Sequence, residues 1–235
     1  MRKGEDRRRT ILETAEHLFY AQGFENTSVQ DIIDALGFSK GGFYHHFESK
    51  LSLLEAICED RAQSACALAE EAMLQCGSPT EKLNALFQRA TILQTDSLDF
   101  ISLLVRVAYR EDGALMREKM KQQQLALNLP LMREVVREGI AREVFYSPFP
   151  DQLPELILRL GMQLTDEIAF QLARTPPNPE IMAVIFEKLK LYRHAMETLL
   201  HAPYGSVIIF HMAHMETICR AMLESPRAQE PPTER

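Results

Sequence analysis

Residues 27–50 read TSVQDIIDALGFSKGGFYHHFESK, two short helical segments separated by a glycine turn. Val29, Ile32, Ile33 and Leu36 fall at helical spacing, and Thr27 precedes them with Gln30 three residues on. That pattern predicts Thr27 as the N-cap with Gln30 reaching back to it. Gly37 follows the last apolar position, where a left-handed residue can close a helix. Ser39 is then placed to cap a second helix over residues 40–47. A connection of about three residues is the spacing of a helix-turn-helix, whose second helix is shaped to enter the major groove of DNA.

The second helix carries Gly41 and Gly42 in its first turn, although each glycine costs roughly 1 kcal/mol relative to alanine in a helix. Without side chains they let the backbone come close to a surface, and the first turn of a recognition helix is the part that meets base edges. Phe43 and Phe47, four apart, are expected to anchor the helix. Tyr44, His45 and His46 remain for the other faces, where they can donate to phosphate oxygens. The plainer alternative, a surface helix with packed aromatics and a solvated histidine pair, leaves the glycines and the caps without a reason.

These residues resemble the DNA-binding domain of the TetR (tetracycline-repressor) family of bacterial transcriptional regulators. The resemblance runs from an amphipathic first helix ending in AQGF at residues 21–24, through Thr27 and the I-x-x-x-L-G run at residues 32–37, to SKGGFYHHFESK. It covers about the first quarter of the chain. It implies that Lys40, Gly42 and Phe43 face bases, and that Thr27, Tyr44, His45 and Lys50 lie on phosphates. Ser39, Gly41 and His46 complete the expected contact surface. Many members carry Thr or Ala where this chain has Gly42. The resemblance also implies a larger helical domain that binds an effector and dimerises through a four-helix bundle, here residues 152–173 and 180–200.

The residues outside this stretch support an all-α reading. Ile11, Leu12, Ala15, Leu18 and Phe19 mark a first helix closed by Gly23. The charge run Arg2, Lys3, Arg7, Arg8 and Arg9 ahead of it reads as a solvated terminus, or as an arm reaching phosphate or the minor groove. Ser49 caps a long helix to about residue 75. Ser78-Pro79-Thr80-Glu81 opens another, and a shorter helix follows over residues 100–109. Residues 114–138 form a long helix that Pro130 is expected to kink or break and Gly139 to end. Residues 152–173 are apolar on more than one side, so one side is expected against the core and the other against a partner copy. Ile157, Gly161, Leu164 and Ile168 are expected at that interface. A terminal helix is expected over residues 206–223, before a disordered Pro-rich tail at 225–235. No sustained period-two alternation or internal repeat appears. The expected division is a helix-turn-helix domain over residues 1–55, its connecting helix running to about 76, and a helical domain over residues 56–224.

Net charge is −7, yet residues 1–50 hold seven Lys and Arg against eight Asp and Glu, so −6 lies in the other 185 residues. DNA binding then rests on a local cluster of donors, not on a globally positive field, and is expected to be weak on random sequence. No apolar run reaches membrane-spanning length and no leader precedes the first helix, which points to the cytoplasm. Cys58, Cys66, Cys76 and Cys219 show no C-x-x-C spacing and read as idle thiols. His211 and His214, with Glu216 nearby, share a helix face but lack a third ligand at helical spacing, so no metal is expected. An all-α enzyme is the other alternative. The chain has no phosphate loop, nucleophile elbow or zinc-binding His-Glu motif, Asp96 and Asp99 are too few for a metal-diphosphate site, and neither catalysis nor a cofactor is expected. Arg106, Tyr109, Gln163, Asp166 and Phe170 lie near apolar helix faces, and the chain holds 11 methionines. Together they suggest a small lipophilic effector held in an adaptable, mostly apolar cavity.

Overall fold

Helix α1 (Arg2–Gln22) starts eight residues before its first buried side chain, Ile11. The charged run expected as a loose arm is therefore helical. Arg, Lys and Glu are good helix formers, the Thr10 hydroxyl donates to the Asp6 carbonyl at 2.9 Å, and Arg9 reaches Glu13 one turn on at 3.8 Å. These elements come from a computed structural model that describes residues 2–89, 98–110, 113–174 and 178–209, with backbone alone at 2, 3, 5 and 98. Cys219, His211, His214, Glu216 and the expected terminal helix and tail lie wholly or mostly outside the described residues.

After α1 come α2 (Val29–Leu36), α3 (Lys40–Tyr44), α4 (Lys50–Leu74), α5 (Pro79–Arg89), α6 (Leu98–Ala108), α7 (Ala114–Ala141), α8 (Leu153–Arg174) and α9 (Pro179–Leu200). The described residues contain no strand. Helix α4 packs on α1, α5 and α7, and α8 on α6, α7 and α9. None of the described helices is long and apolar enough to cross a membrane.

Two hydrophobic cores divide the molecule along α4. One holds Ile11, Ala15 and Phe19 of α1, Ile32 and Ile33 of α2, Phe43 of α3 and Leu53, Leu54 and Ile57 of α4. It is completed by Phe100, Leu103, Leu104 and Ala108 of α6 and Met116 of α7. The helix-turn-helix thus shares its core with α6. Arg61 of α4 seals the seam: its guanidinium lies 4.3 Å from the centre of the Phe100 ring, pairs with Glu16 and donates to the Tyr20 hydroxyl at 3.0 Å. The second core runs from Ala69 and Met73 through Leu83, Leu86, Met132, Val135 and Val136 to Ile157, Tyr192 and Met196.

Helix α7 passes through Pro130 without a break and also through Gly139, ending only at Ala141. Leu131 and Met132, buried just beyond the proline, hold the helix across the missing hydrogen bond, while the ring itself is exposed. Gly139 is a packing residue: a side chain there would drive into the Phe145 ring, and the Gly139 carbonyl accepts from the Val144 and Phe145 amides at 2.8 and 3.0 Å.

Helix α8 presents a different face from the one expected. Ile157 is fully buried in its own subunit, and its carbonyl accepts from the Tyr192 hydroxyl at 2.8 Å. A Cβ on Gly161 would lie 2.6 Å from that same hydroxyl, so Gly161 permits close approach of α9 of its own chain. Leu164 and Ile168 pack against Ile181, Ile185 and Leu189 of α9. The apolar residues left in solvent on these two helices are Leu156, Leu160, Val184 and Leu191.

Beyond α9, His201 caps the helix in the left-handed conformation. The buried Glu197 carboxylate accepts from the Gly205 and Val207 amides at 2.8 and 3.1 Å. Asn84 of α5 ties down the same segment through the Ser206 carbonyl and the Ile208 amide.

Candidate nucleic-acid interface

Helix α2 is capped one residue later than the sequence pattern suggests. Ser28 is the N-cap: its hydroxyl accepts from the Asp31 amide at 3.1 Å and the Asp31 carboxylate accepts from the Ser28 amide at 2.7 Å, a reciprocal capping box. These hydrogen bonds hold the Asp31 carboxyl below its ordinary value, the Ser28 amide contributing most. Thr27 is instead completely buried. Its hydroxyl donates to the Gly23 carbonyl at 2.7 Å and receives the Gln22 amide at 3.3 Å, which locks the end of α1 and removes the hydroxyl from any phosphate.

At the other end, Gly37 takes φ 64°, and the Gly37 and Phe38 amides return to the Asp34 and Ile33 carbonyls at 3.2 Å. Ser39 then caps α3, its hydroxyl accepting from the Gly42 amide at 3.1 Å. The turn is held by hydrogen bonds on both sides, so the orientation of α3 follows from the sequence GFS at residues 37–39.

Helix α3 is five residues long and is tethered by Phe43, which is fully buried with Phe47 beside it at 6.1 Å between ring centres. Phe43 is therefore a core residue and cannot face bases. Its burial turns Lys40, Gly41, Gly42, Tyr44 and His45 outward. Tyr44 is half exposed and meets Phe43 edge-on, while His46 is partly covered by His45 and Phe47.

Neither glycine on this face is required by the fold. Both have negative φ, a Cβ on Gly41 would meet nothing within 4 Å, and one on Gly42 would meet only the Ser39 hydroxyl at 3.2 Å.

Lys50 is also engaged inside the protein. Its ammonium donates to the Phe24 carbonyl at 2.6 Å and lies 4.4 Å from the centre of the Phe24 ring. It fastens the start of α4 to the α1–α2 junction, which Arg110 at the end of α6 also reaches through Glu25 at 2.8 Å. Sequence reasoning missed Ser28 and Arg61. The S-x-x-D pattern was a legible signal for Ser28, whereas Arg61 had none.

Of the residues expected around an effector, the structure brings Tyr109, Asp166 and Phe170 together. The Tyr109 hydroxyl donates to Asp166 at 2.9 Å, and the Tyr109 and Phe170 rings meet edge-on at 5.1 Å. Burial, with Asp166 beside it, raises the Tyr109 hydroxyl well above its ordinary value. Lys121 of α7 pairs with the other Asp166 oxygen at 3.1 Å, and Arg117 lies 4.7 Å from the centre of Phe170. Arg106 and Gln163 are exposed, because they occupy the outer stripes of α6 and α8, and do not join this cluster.

The sequence profile described as bacterial regulatory proteins, tetR family, matches residues 11–57, the segment that holds the helix-turn-helix. The chain is 35% identical over 81 residues to the transcriptional repressor KstR2 of Mycolicibacterium smegmatis, a match over 34% of this chain and 40% of that protein. It is 43% identical over 54 residues to the uncharacterised regulator YerO of Bacillus subtilis, over 23% and 19% of the two chains. The matched stretches thus span less than two thirds of these relatives. A TetR-family regulator from Pectobacterium atrosepticum has the same fold, with a TM-score of 0.62 at 19% identity over 86% of this chain and 98% of that one. A second neighbour, from Syntrophomonas wolfei, has a TM-score of 0.57 at 21% identity over 83% and 97%. By its N-terminal domain and its fold, the chain belongs to the tetR family of bacterial regulatory proteins.

Proposed function

We propose that the protein is a transcriptional regulator, a homodimeric repressor that binds a palindromic DNA operator and is released by a small lipophilic effector. The observation that carries this reading is the outer face of α3. Lys40, Tyr44 and His45 surround two glycines on a helix whose orientation is fixed by Ser39, Gly37 and the buried Phe43. Such a face offers charged and hydroxyl donors to phosphates and a low profile to base edges. Several curated relatives are named as repressors, which favours repression over activation.

Two copies joined through Leu156 and Leu160 of α8 and Val184 and Leu191 of α9 bury the apolar residues that one chain leaves in solvent. A two-fold dimer sets its recognition helices about 34 Å apart, one turn of DNA. The Tyr109–Asp166–Lys121 cluster, with Phe170 against it, supplies polar anchors in apolar surroundings and is the effector site of this reading. An effector that binds better to a dimer with its recognition helices spread would release DNA by population shift.

Selection of binding sites from random duplexes, followed by gel shift, tests the reading. The protein selects a palindrome, and Lys40→Ala and Tyr44→Ala each weaken binding by ~1–3 kcal/mol while the circular dichroism spectrum is unchanged. No selected site, or unchanged affinity in both variants, refutes it.

A further inference from the structure

The largest polar recess away from the recognition helix and the Asp166 cluster lies where α4 crosses α7. It has a volume of about 430 Å³, within the range of small-molecule sites. Its apolar floor is Met116, Met120 and Ala56, with Met116 and Ala56 buried. Its rim carries Glu55 and Glu59, one helical turn apart on α4, against a single cation, Lys119 of α7. Lys119 binds both Glu55 oxygens at 2.9 Å, and Glu59 accepts only the Gln63 side-chain amide at 3.3 Å. The recess therefore holds one more negative charge than positive over a methionine surface.

We propose that this cleft binds an amphipathic monocation of the alkylammonium class. The ammonium takes the place of the Lys119 amine between Glu55 and Glu59, and the apolar chain covers Met116 and Met120. The chemistry selects this class in three ways. The Lys119–Glu55 pair is more than half exposed on the lysine side, so it is weakly held and readily exchanged. Thioether side chains are flexible and polarisable, and adapt to aliphatic chains of varied shape. An anion would meet two carboxylates, and a neutral chain would leave the excess charge uncompensated. Because α4 begins directly after the recognition helix, an occupant here replaces one of the ties between α4 and α7. The inference does not depend on the DNA-binding reading or on the effector cluster, and its test requires no DNA.

The test uses the full chain labelled with ¹³C at its methionine methyls, with Met116 and Met120 assigned by Met→Leu replacement. Octyltrimethylammonium is titrated below its micelle concentration, with octanoate and octanol as controls. Saturable shifts are expected at Met116 and Met120 with the ammonium and not with octanoate. Glu59→Gln weakens binding about fivefold. Lys119→Met, which keeps the aliphatic stem and removes the competing amine, tightens it about threefold. The opposite signs separate a ligand-exchanging lysine from a merely structural one. Absence of saturation at both methyls, octanol binding as tightly as the ammonium, or weaker binding in Lys119→Met overturns the proposal.

Discussion

Phe100→Ala tests whether the helix-turn-helix and α6 are one cooperative unit. The ring is fully buried in the core formed by α1, α2, α3 and α4, and the Arg61 guanidinium covers it at 4.3 Å. Truncating a buried phenylalanine costs about 3–5 kcal/mol through lost burial and the cavity left behind. Loss of the cation–π contact adds about 0.5–1 kcal/mol, since Arg61 is largely but not wholly covered. Against a total stability of about 5–15 kcal/mol this is a large fraction, and at about 2–4 °C per kcal/mol for a chain of this size the melting temperature falls by roughly 7–24 °C. The decisive readout is amide hydrogen exchange. Protection should fall together at Ile11, Ile32, Ile33 and Leu53 and at the amides of α6, because all of them rest on the same side chain. If α6 alone loses protection while residues 11–57 keep theirs, the two regions are separate folding units and the shared core is energetically unimportant.

Gly139→Ala should destabilise the protein by a net ~1–3 kcal/mol by chemical denaturation, although alanine adds roughly 1 kcal/mol of helix propensity, because the new methyl collides with the Phe145 ring. Phe145→Leu in the same chain should recover part of the loss. Unchanged stability in Gly139→Ala would show that Phe145 moves aside freely. Asp31 has a folded-state pKa below its ordinary value of 3.8, so its contribution is present above that value and is lost as pH falls through the lower, folded value. The melting-temperature gap between wild type and Asp31→Asn should therefore be open at neutral pH and narrow below about pH 4; a gap constant with pH would discount the capping box. Leu160→Asp, on the exposed stripe of α8, should shift sedimentation toward monomer and abolish operator binding with the fold intact. A stable, active dimer in this variant would place the interface elsewhere.

Local chemistry made the start and end of the helix-turn-helix legible, since Gly37 and Ser39 act within a few residues of themselves. The cap of α2 was displaced by one because Thr27 and Ser28 both suit the position. What decides between them is the end of α1, which takes the Thr27 hydroxyl. Lys50 and Phe43 were misplaced for the same reason: each makes its main contact with residues from another helix, which no window of sequence contains. In α8 the apolar residues run around the helix, so periodicity alone could not say which stripe faces out. Tyr192, resting over Gly161 and bonded to Ile157, turns that stripe inward and leaves Leu156 and Leu160 outside. Of the effector cluster, Tyr109, Asp166 and Phe170 were legible as polar and aromatic residues near apolar faces. Lys121 and Arg117 were not, because on α7 they look like ordinary surface charges.

The open space around Gly41 and Gly42 has an evolutionary consequence. A substitution at most positions of a small domain trades specificity against folding, but here an added side chain meets nothing, or only the serine hydroxyl, and replaces the poorest non-proline helix former. Mutations at these two positions can therefore move the protein toward a new operator while leaving its stability equal or improved. The recognition surface is free to drift under selection for new target genes, and directed evolution of altered DNA preference can begin there without compensating changes in the core.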